Sequence, residues 1–66
     1  MPEGKEFLIE LLERQSREAI ILAARMRAIA AKQPTRKEAE VYLQQAYFEE
    51  KKAAGHMRQV RLLRRR

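Results

Sequence analysis

Side chains capable of catalysis are scarce in this chain of 66 residues. It contains one histidine, His56, one serine, Ser16, and one threonine, Thr35, and it has no cysteine and no aspartate. A Ser–His–Asp triad therefore cannot be assembled, and a Cys–His nucleophile is excluded. The only two glycines, Gly4 and Gly55, are too far apart for a phosphate-binding loop. We expect no enzymatic activity and no catalytic residue.

Ligand sets for a metal or a cofactor are missing as well. His56 follows Glu49 by seven residues, about 10.5 Å along a helix, which is too far for both side chains to bind one ion. Adjacent carboxylates such as Glu49 and Glu50 point to different sides of a helix. The Glu-x-x-His motif of di-iron helical bundles does not occur. The sequence therefore predicts no metal site, no cofactor and no small-molecule substrate.

Charge is the strongest feature of the composition. The chain has 15 Lys and Arg against 9 Glu, a net charge of +6 and a pI near 10.3. Residues 51–66, here called the basic tail, contain no acid and carry Lys51, Lys52, Arg58, Arg61, Arg64, Arg65 and Arg66. We predict that the basic tail binds a partner, which is either an acidic protein surface or a nucleic acid. A solvated helix end whose arginines complement the helix dipole is the alternative.

Helix-favouring residues dominate the chain, and one clear break occurs at Gln33-Pro34-Thr35. After it, Thr35 and Glu38 match the capping-box pattern that starts a helix. The sequence predicts an all-α fold with a single domain, 1–66, in which helices at about residues 4–33 and 36–64 form an antiparallel hairpin. We expect the second helix to continue through Gly55. The alternative is a break there, which would leave a short basic third helix of the helix-turn-helix type.

Small residues at a spacing of seven mark the packing face of the second helix. This seam is Ala39, Ala46, Ala53 and Val60. Small residues at heptad spacing let antiparallel helices approach closely, as in a coiled coil. The apolar stripe of the first helix comprises Leu8, Leu11, Leu12, Ala19, Leu22, Ala23, Met26, Ile29 and Ala30. With Ile9 and Ile20 it covers about half of the helix surface, more than one packing contact needs.

Some apolar residues have no use within an isolated hairpin. They include Ile20 and Ile21 in the first helix, and a second seam of Val41, Phe48 and Leu62 in the second. We predict that these five residues mediate self-association, in which the hairpin dimerises into a four-helix bundle or docks on a larger assembly. The alternative is that Val41 and Phe48 are simply exposed.

Opposite charges at the two chain ends support the antiparallel direction. In a hairpin turning near residue 34, residues whose numbers total about 68 are neighbours. Glu10 then falls near Arg58, Glu6 near Arg61, and the acidic start of the chain at Glu3 near Arg65. These pairs also neutralise part of the basic tail, which weakens the prediction of nucleic-acid binding.

These observations favour a small basic non-enzymatic helical interaction protein, acting as a regulator or assembly subunit through protein–protein contacts. The alternative is an RNA- or DNA-binding regulatory module that uses the basic tail. The longest apolar run, residues 19–24, is too short to span a bilayer. No signal peptide is recognisable, so we expect a cytoplasmic protein without a membrane partner.

Overall fold

Two long helices make up the fold. The computed structural model describes residues 2–65 of the chain, with side chains from residue 4 onward. Helix α1 is Pro2–Ala31 and helix α2 is Arg36–Arg65. The two helices pack against each other and form a rod whose Cα atoms extend over 53 × 14 × 10 Å. The all-α class and the helical hairpin are thereby confirmed.

The end of α1 comes two residues before the predicted one. The amide of Lys32 donates to the carbonyl of Ile29 at 3.0 Å, and the amide of Gln33 donates to the carbonyl of Ala30 at 3.1 Å. These bonds span three residues rather than four, so they tighten the last turn and end the helix. The Gln33 side-chain amide also donates to the Ile29 carbonyl at 3.1 Å, which satisfies a carbonyl at the helix end.

The start of α2 depends on Thr35, as the sequence predicts. The Glu38 amide donates to the Thr35 hydroxyl oxygen at 3.2 Å, and the Ala39 amide donates to the Thr35 carbonyl at 3.1 Å. Thr35 is therefore the N-cap residue. Within the described chain the Glu38 carboxylate does not return a bond to the Thr35 amide, so half of the capping box is formed. Glu38 still lies in the first turn, where a carboxylate complements the helix dipole.

The core between the helices consists mostly of small residues. Its buried apolar side chains are Ile9, Leu12, Ala19, Ala23, Ala30, Ala46, Ala53 and Val60. Five of these eight are alanine, and Val60 is the one large side chain among them that is fully buried. The heptad seam predicted for the second helix thus lies in the interface. In α1 the matching seven-residue series is Ile9, Ser16, Ala23 and Ala30.

Ser16 shows how closely the helices approach. Its buried hydroxyl donates to the carbonyl of Ala53 across the hairpin at 3.3 Å. A serine side chain is short, so this bond requires the two backbones to lie close together. The residue numbers total 69, near the expected 68, and one heptad further the same register places Ala23 opposite Ala46. Both alanines are almost completely inaccessible, as a close contact requires.

Three residues of the predicted α1 stripe lie beside the seam rather than in it. Leu8, Leu22 and Ile29 are exposed in the hairpin. Each of the three immediately precedes a buried residue, namely Ile9, Ala23 or Ala30. Successive residues of a helix differ by about 100° in direction, so the three larger side chains point away from the contact. Because the facing helix also presents small residues, the contact is narrow and leaves these larger side chains outside it.

Gly55 does not interrupt α2. Helix α2 continues to Arg65, and the described residues form no third helix. The expected continuation is confirmed, and the helix-turn-helix alternative is wrong. A Cβ atom built at Gly55 would meet nothing within 4 Å. Packing within the chain therefore does not require a glycine at this position.

Candidate interaction surfaces

The hairpin is two helices wide and one helix thick, so it has two broad faces. Side chains that flank the seam on one side lie on one face, and those that flank it on the other side lie on the opposite face. The two faces differ in chemistry. Ion pairs between the helices occupy one of them, and large apolar side chains occupy the other.

The first face, here called the ionic face, is defined by Glu13, Arg27, Glu50 and Arg64. The Arg27 guanidinium donates to both carboxylate oxygens of Glu50, at 2.6 and 3.2 Å. Nη2 of Arg64 donates to Oε2 of Glu13 at 2.8 Å. Both bonds join α1 to α2, so they bridge the hairpin beside its seam.

The register of these ion pairs differs from the predicted one. The numbers of each pair total 77, whereas facing backbone positions such as Ser16 and Ala53 total 69. Helical side chains lean toward the N-terminus of their own helix. On antiparallel helices, two long side chains therefore lean toward each other, and each can start about one turn from the height at which they meet. The predicted pairs Glu10–Arg58 and Glu6–Arg61 are therefore wrong among the described side chains. The predicted pair of Glu3 with Arg65 lies outside them, because the Glu3 side chain is not described.

The Arg27–Glu50 pair favours the charged form of the arginine. The hydrogen bonds that Arg27 donates to the Glu50 carboxylate, together with the negative charge of that carboxylate, raise the pKa of Arg27 above its ordinary value. A raised pKa stabilises the fold below the unfolded-state value and loses that effect only as the pH rises through the folded-state value. For an arginine this window lies in strong alkali. Salt, rather than pH, is therefore the practical way to weaken this exposed pair.

The second face, here called the apolar face, carries large apolar side chains that the hairpin leaves exposed. It is defined by Leu8, Leu22, Ile29, Val41, Phe48 and Leu62. Leu8 and Leu62 line one shallow groove together with Leu12, Gln59 and Leu63. Leu22 lines the next groove along the rod, beside Glu18 and Lys52. Ile29 lies one heptad beyond Leu22, and Val41 and Phe48 continue the series of Leu62.

Gly55 lies within this series, between Phe48 and Leu62, and lines a groove with Leu62, Lys52 and Gln59. Because it has no side chain, the apolar face has a notch there. All three apolar members of the series are more than half exposed, at 59% for Val41, 53% for Phe48 and 51% for Leu62. Within the chain, the Phe48 ring lies against the ring of the adjacent Tyr47, with the centroids 5.9 Å apart.

The structure divides the residues for which we predicted self-association. Val41, Phe48 and Leu62 lie together on the apolar face. Ile20 shares the heptad position of Glu13 and Arg27, so it lies on the ionic face. Ile21 is the next residue and lies on the outer edge of α1. The five residues therefore do not form one surface.

Sequence reasoning missed Leu8, Leu22 and Ile29 as members of an outer surface because it assigned them to the core. The signal that could have found them is the series Ile9, Ser16, Ala23 and Ala30. This series mirrors the alanine seam of α2, and it would have fixed the rotation of α1. A lone serine among apolar residues concealed the repeat.

The basic tail is only partly engaged within the chain. Lys51 lies over the ring of Tyr47, 5.2 Å from its centroid, and Lys52 pairs with Glu49 at 3.3 Å. Arg64 pairs with Glu13 on the ionic face. Arg58, Arg61 and Arg65 are exposed, and no described carboxylate pairs with Arg58 or Arg61. Arg66 lies outside the described residues, so its predicted role has no structural counterpart.

The described part of the chain offers neither a ligand set for a metal ion nor a membrane-spanning helix. Residues 2–65 contain no group of three or more His, Cys, Asp or Glu side chains that could hold a metal ion. Neither of their helices combines the length and the apolar character needed to cross a membrane.

No known protein family, no curated protein and no solved structure matches this chain. The two faces and the basic tail are the observations from which a function can be argued. Of the three, the apolar face presents six exposed large apolar side chains, which are poorly suited to contact with water.

Proposed function

We propose that this chain is a small, basic, non-enzymatic helical interaction protein that acts as a regulator or assembly subunit. Its contacts with other protein are made by the apolar face. The observation that carries this proposal is the placement of side-chain size. Alanine accounts for five of the eight buried apolar side chains, while Leu8, Leu22, Ile29, Val41, Phe48 and Leu62 are exposed.

This placement is the reverse of what an independent hairpin would need. Burial of a large apolar side chain stabilises a protein by about 1.5–3 kcal/mol, and an alanine contributes much less. Chains below about 70 residues commonly need a disulfide, a metal or an oligomeric partner for stability. This chain has no cysteine, and covering the apolar face would provide the missing burial.

Site-specific photo-cross-linking tests this proposal. A benzophenone amino acid is placed at position 48, on the apolar face, or at position 21 as a control. Phe48 and Ile21 are equally exposed in the hairpin, at 53% each. In living cells of the organism that makes this protein, we expect cross-linked protein adducts from position 48 and few from position 21. Equal labelling at the two positions, or none at either, would contradict the proposal.

Nucleic-acid binding by the basic tail is the second candidate function. The exposed Arg58 and Arg61, without a described acidic partner, favour it. If it holds, replacing both arginines by glutamine weakens binding of labelled RNA or duplex DNA and lowers the slope of log affinity against log salt by about two. Phe48→Glu should leave that binding unchanged. Weak binding without a salt slope would exclude this function and leave the first.

A further inference from the structure

We infer that the apolar face is covered by a second copy of this chain, and that the two hairpins are related by a two-fold axis parallel to the rod. The inference rests on the proposed function and names its partner. In this arrangement the two apolar faces meet, α1 lies on α2 of the second copy, and both turns lie at the same end of a four-helix bundle.

The symmetry leaves no freedom in the register. Rotation about an axis parallel to the rod does not change the height of any residue along it. Each α1 residue therefore meets, in the second copy, the α2 residues that lie at its own height in the hairpin. The Ser16–Ala53 hydrogen bond sets equal height at residue numbers that total 69, so residues whose numbers total 70 lie about 1.5 Å from equal height. The symmetry does not allow one chain to slide along the other. Complementarity between residues whose numbers total 70 is therefore a property of the sequence.

At this total, the apolar side chains of the face meet one another. Leu22 lies opposite Phe48 of the second copy. In the same way Leu8 lies opposite Leu62, and Ile29 lies opposite Val41. Every large apolar residue that defines the face thus has an apolar counterpart, and each contact occurs twice in the dimer.

The charged residues at the margin of the face follow the same rule. Glu18 lies opposite Lys52 of the second copy, and Lys32 lies opposite Glu38. Both pairs join opposite charges, and Arg25 lies opposite the uncharged Gln45. No like charges meet at this total, which is the charge complementarity that specific interfaces show.

A two-fold axis across the rod fits the face less well. It would place α2 on α2 of the second copy, and the register that brings Phe48 onto the notch at Gly55 brings Lys52 beside its own copy. Such a contact puts two positive charges together in the middle of the interface. The parallel axis avoids this repulsion and uses more of the apolar residues.

The dimensions of the face are also those of a stable dimer. The broad side of the rod measures 53 × 14 Å between Cα atoms, about 700 Å². Stable protein interfaces bury about 800 Å² on each partner. Side chains extend beyond the Cα outline, so one face against another reaches this size without any further element.

Sedimentation equilibrium of the purified chain and two variants tests the partner. The wild type should have twice the chain mass of 7.8 kDa. Phe48→Glu places two charges in the centre of the interface and should return the mass to that of one chain. Ile21→Glu, at an equally exposed site on the outer edge, should remain dimeric. A wild-type monomer, or equal effects of the two variants, would overturn the inference.

The distance between two spin labels tests the direction of the axis. The chain has no cysteine, so Lys37→Cys, at an exposed residue next to the turn to which the proposal assigns no contact, gives one label per copy. With the axis parallel to the rod the two labels are separated by the width of the bundle, well under half of the 53 Å rod length. A distance close to the full rod length would overturn this axis.

The two levels of the argument fail in different ways. If the isolated chain is monomeric but position 48 still cross-links to another protein in cells, the proposed function stands and the second copy is wrong. If the chain is monomeric and position 48 yields no adduct, both are wrong.

Discussion

The two broad faces of the hairpin differ in the contacts that connect their helices. On the ionic face, Arg27–Glu50 and Glu13–Arg64 link α1 to α2 between apolar residues such as Ile20. On the apolar face, no described ion pair crosses between the helices. The comparison shows that the ionic face helps to close the hairpin, while the apolar face carries side chains that the closed hairpin does not use.

The seam between the faces gives the largest expected effect. Ala46→Leu should lower the free energy of unfolding by about 1–3 kcal/mol, because it overpacks a site that is fully buried between two close helices. Urea denaturation measures this change. Ala54→Leu is the control, since Ala54 is exposed although it is only one residue from the buried Ala53. A neutral or stabilising Ala46→Leu would mean that the helices are not closely packed.

The notch on the apolar face gives the next effect. Gly55→Ala should raise the stability of the hairpin by about 1 kcal/mol, the usual gain for a helix interior, because an added Cβ meets nothing within 4 Å. The measurement is made in the monomeric Phe48→Glu background, so that dimer contacts do not contribute. A smaller gain in the dimer would show that the second copy packs into the notch. A loss of stability in the monomeric background would contradict the open space at Gly55.

The ionic face gives the smallest effect. Glu13→Gln should lower stability by less than about 1 kcal/mol, because the pair with Arg64 is partly exposed. The difference should disappear at about 1 M salt, where the screening length is about 3 Å. Glu10→Gln is the control, because Glu10 is exposed and has no described ion-pair partner. Equal thermal shifts for the two variants would contradict the assigned register.

Much of the fold follows from short-range features of the sequence. Pro34 and Thr35 fix the turn and the start of α2 through backbone restriction and capping, which are local effects. The alanine seam of α2 is visible because its spacing is regular. The rotation of α1 about its own axis is not visible in the sequence. Ser16 interrupts the buried apolar series, and the larger Leu22 and Ile29 wrongly indicate that their side of the helix is the buried one.

The surfaces could be predicted less completely than the helices. Val41, Phe48 and Leu62 stand out because their spacing repeats on one helix. Their neighbours on α1 belong to the same face only after two helices have been placed side by side. The ion pairs depend in addition on the lean of long side chains, which shifts partners along the rod and which a rule based on residue numbers ignores.

Solvent accessibility in solution tests the central claim most directly. Side chains that are equally exposed in one hairpin should differ in the protein, because only one face is covered. A soluble paramagnetic agent should broaden NMR signals of Ile20 and Ile21, which are 54% and 53% exposed. Signals of Val41 and Phe48, which are similarly exposed in the hairpin, should be protected from broadening. In the Phe48→Glu variant, the Val41 signals should lose this protection. Equal broadening on both faces of the wild-type protein would contradict the account.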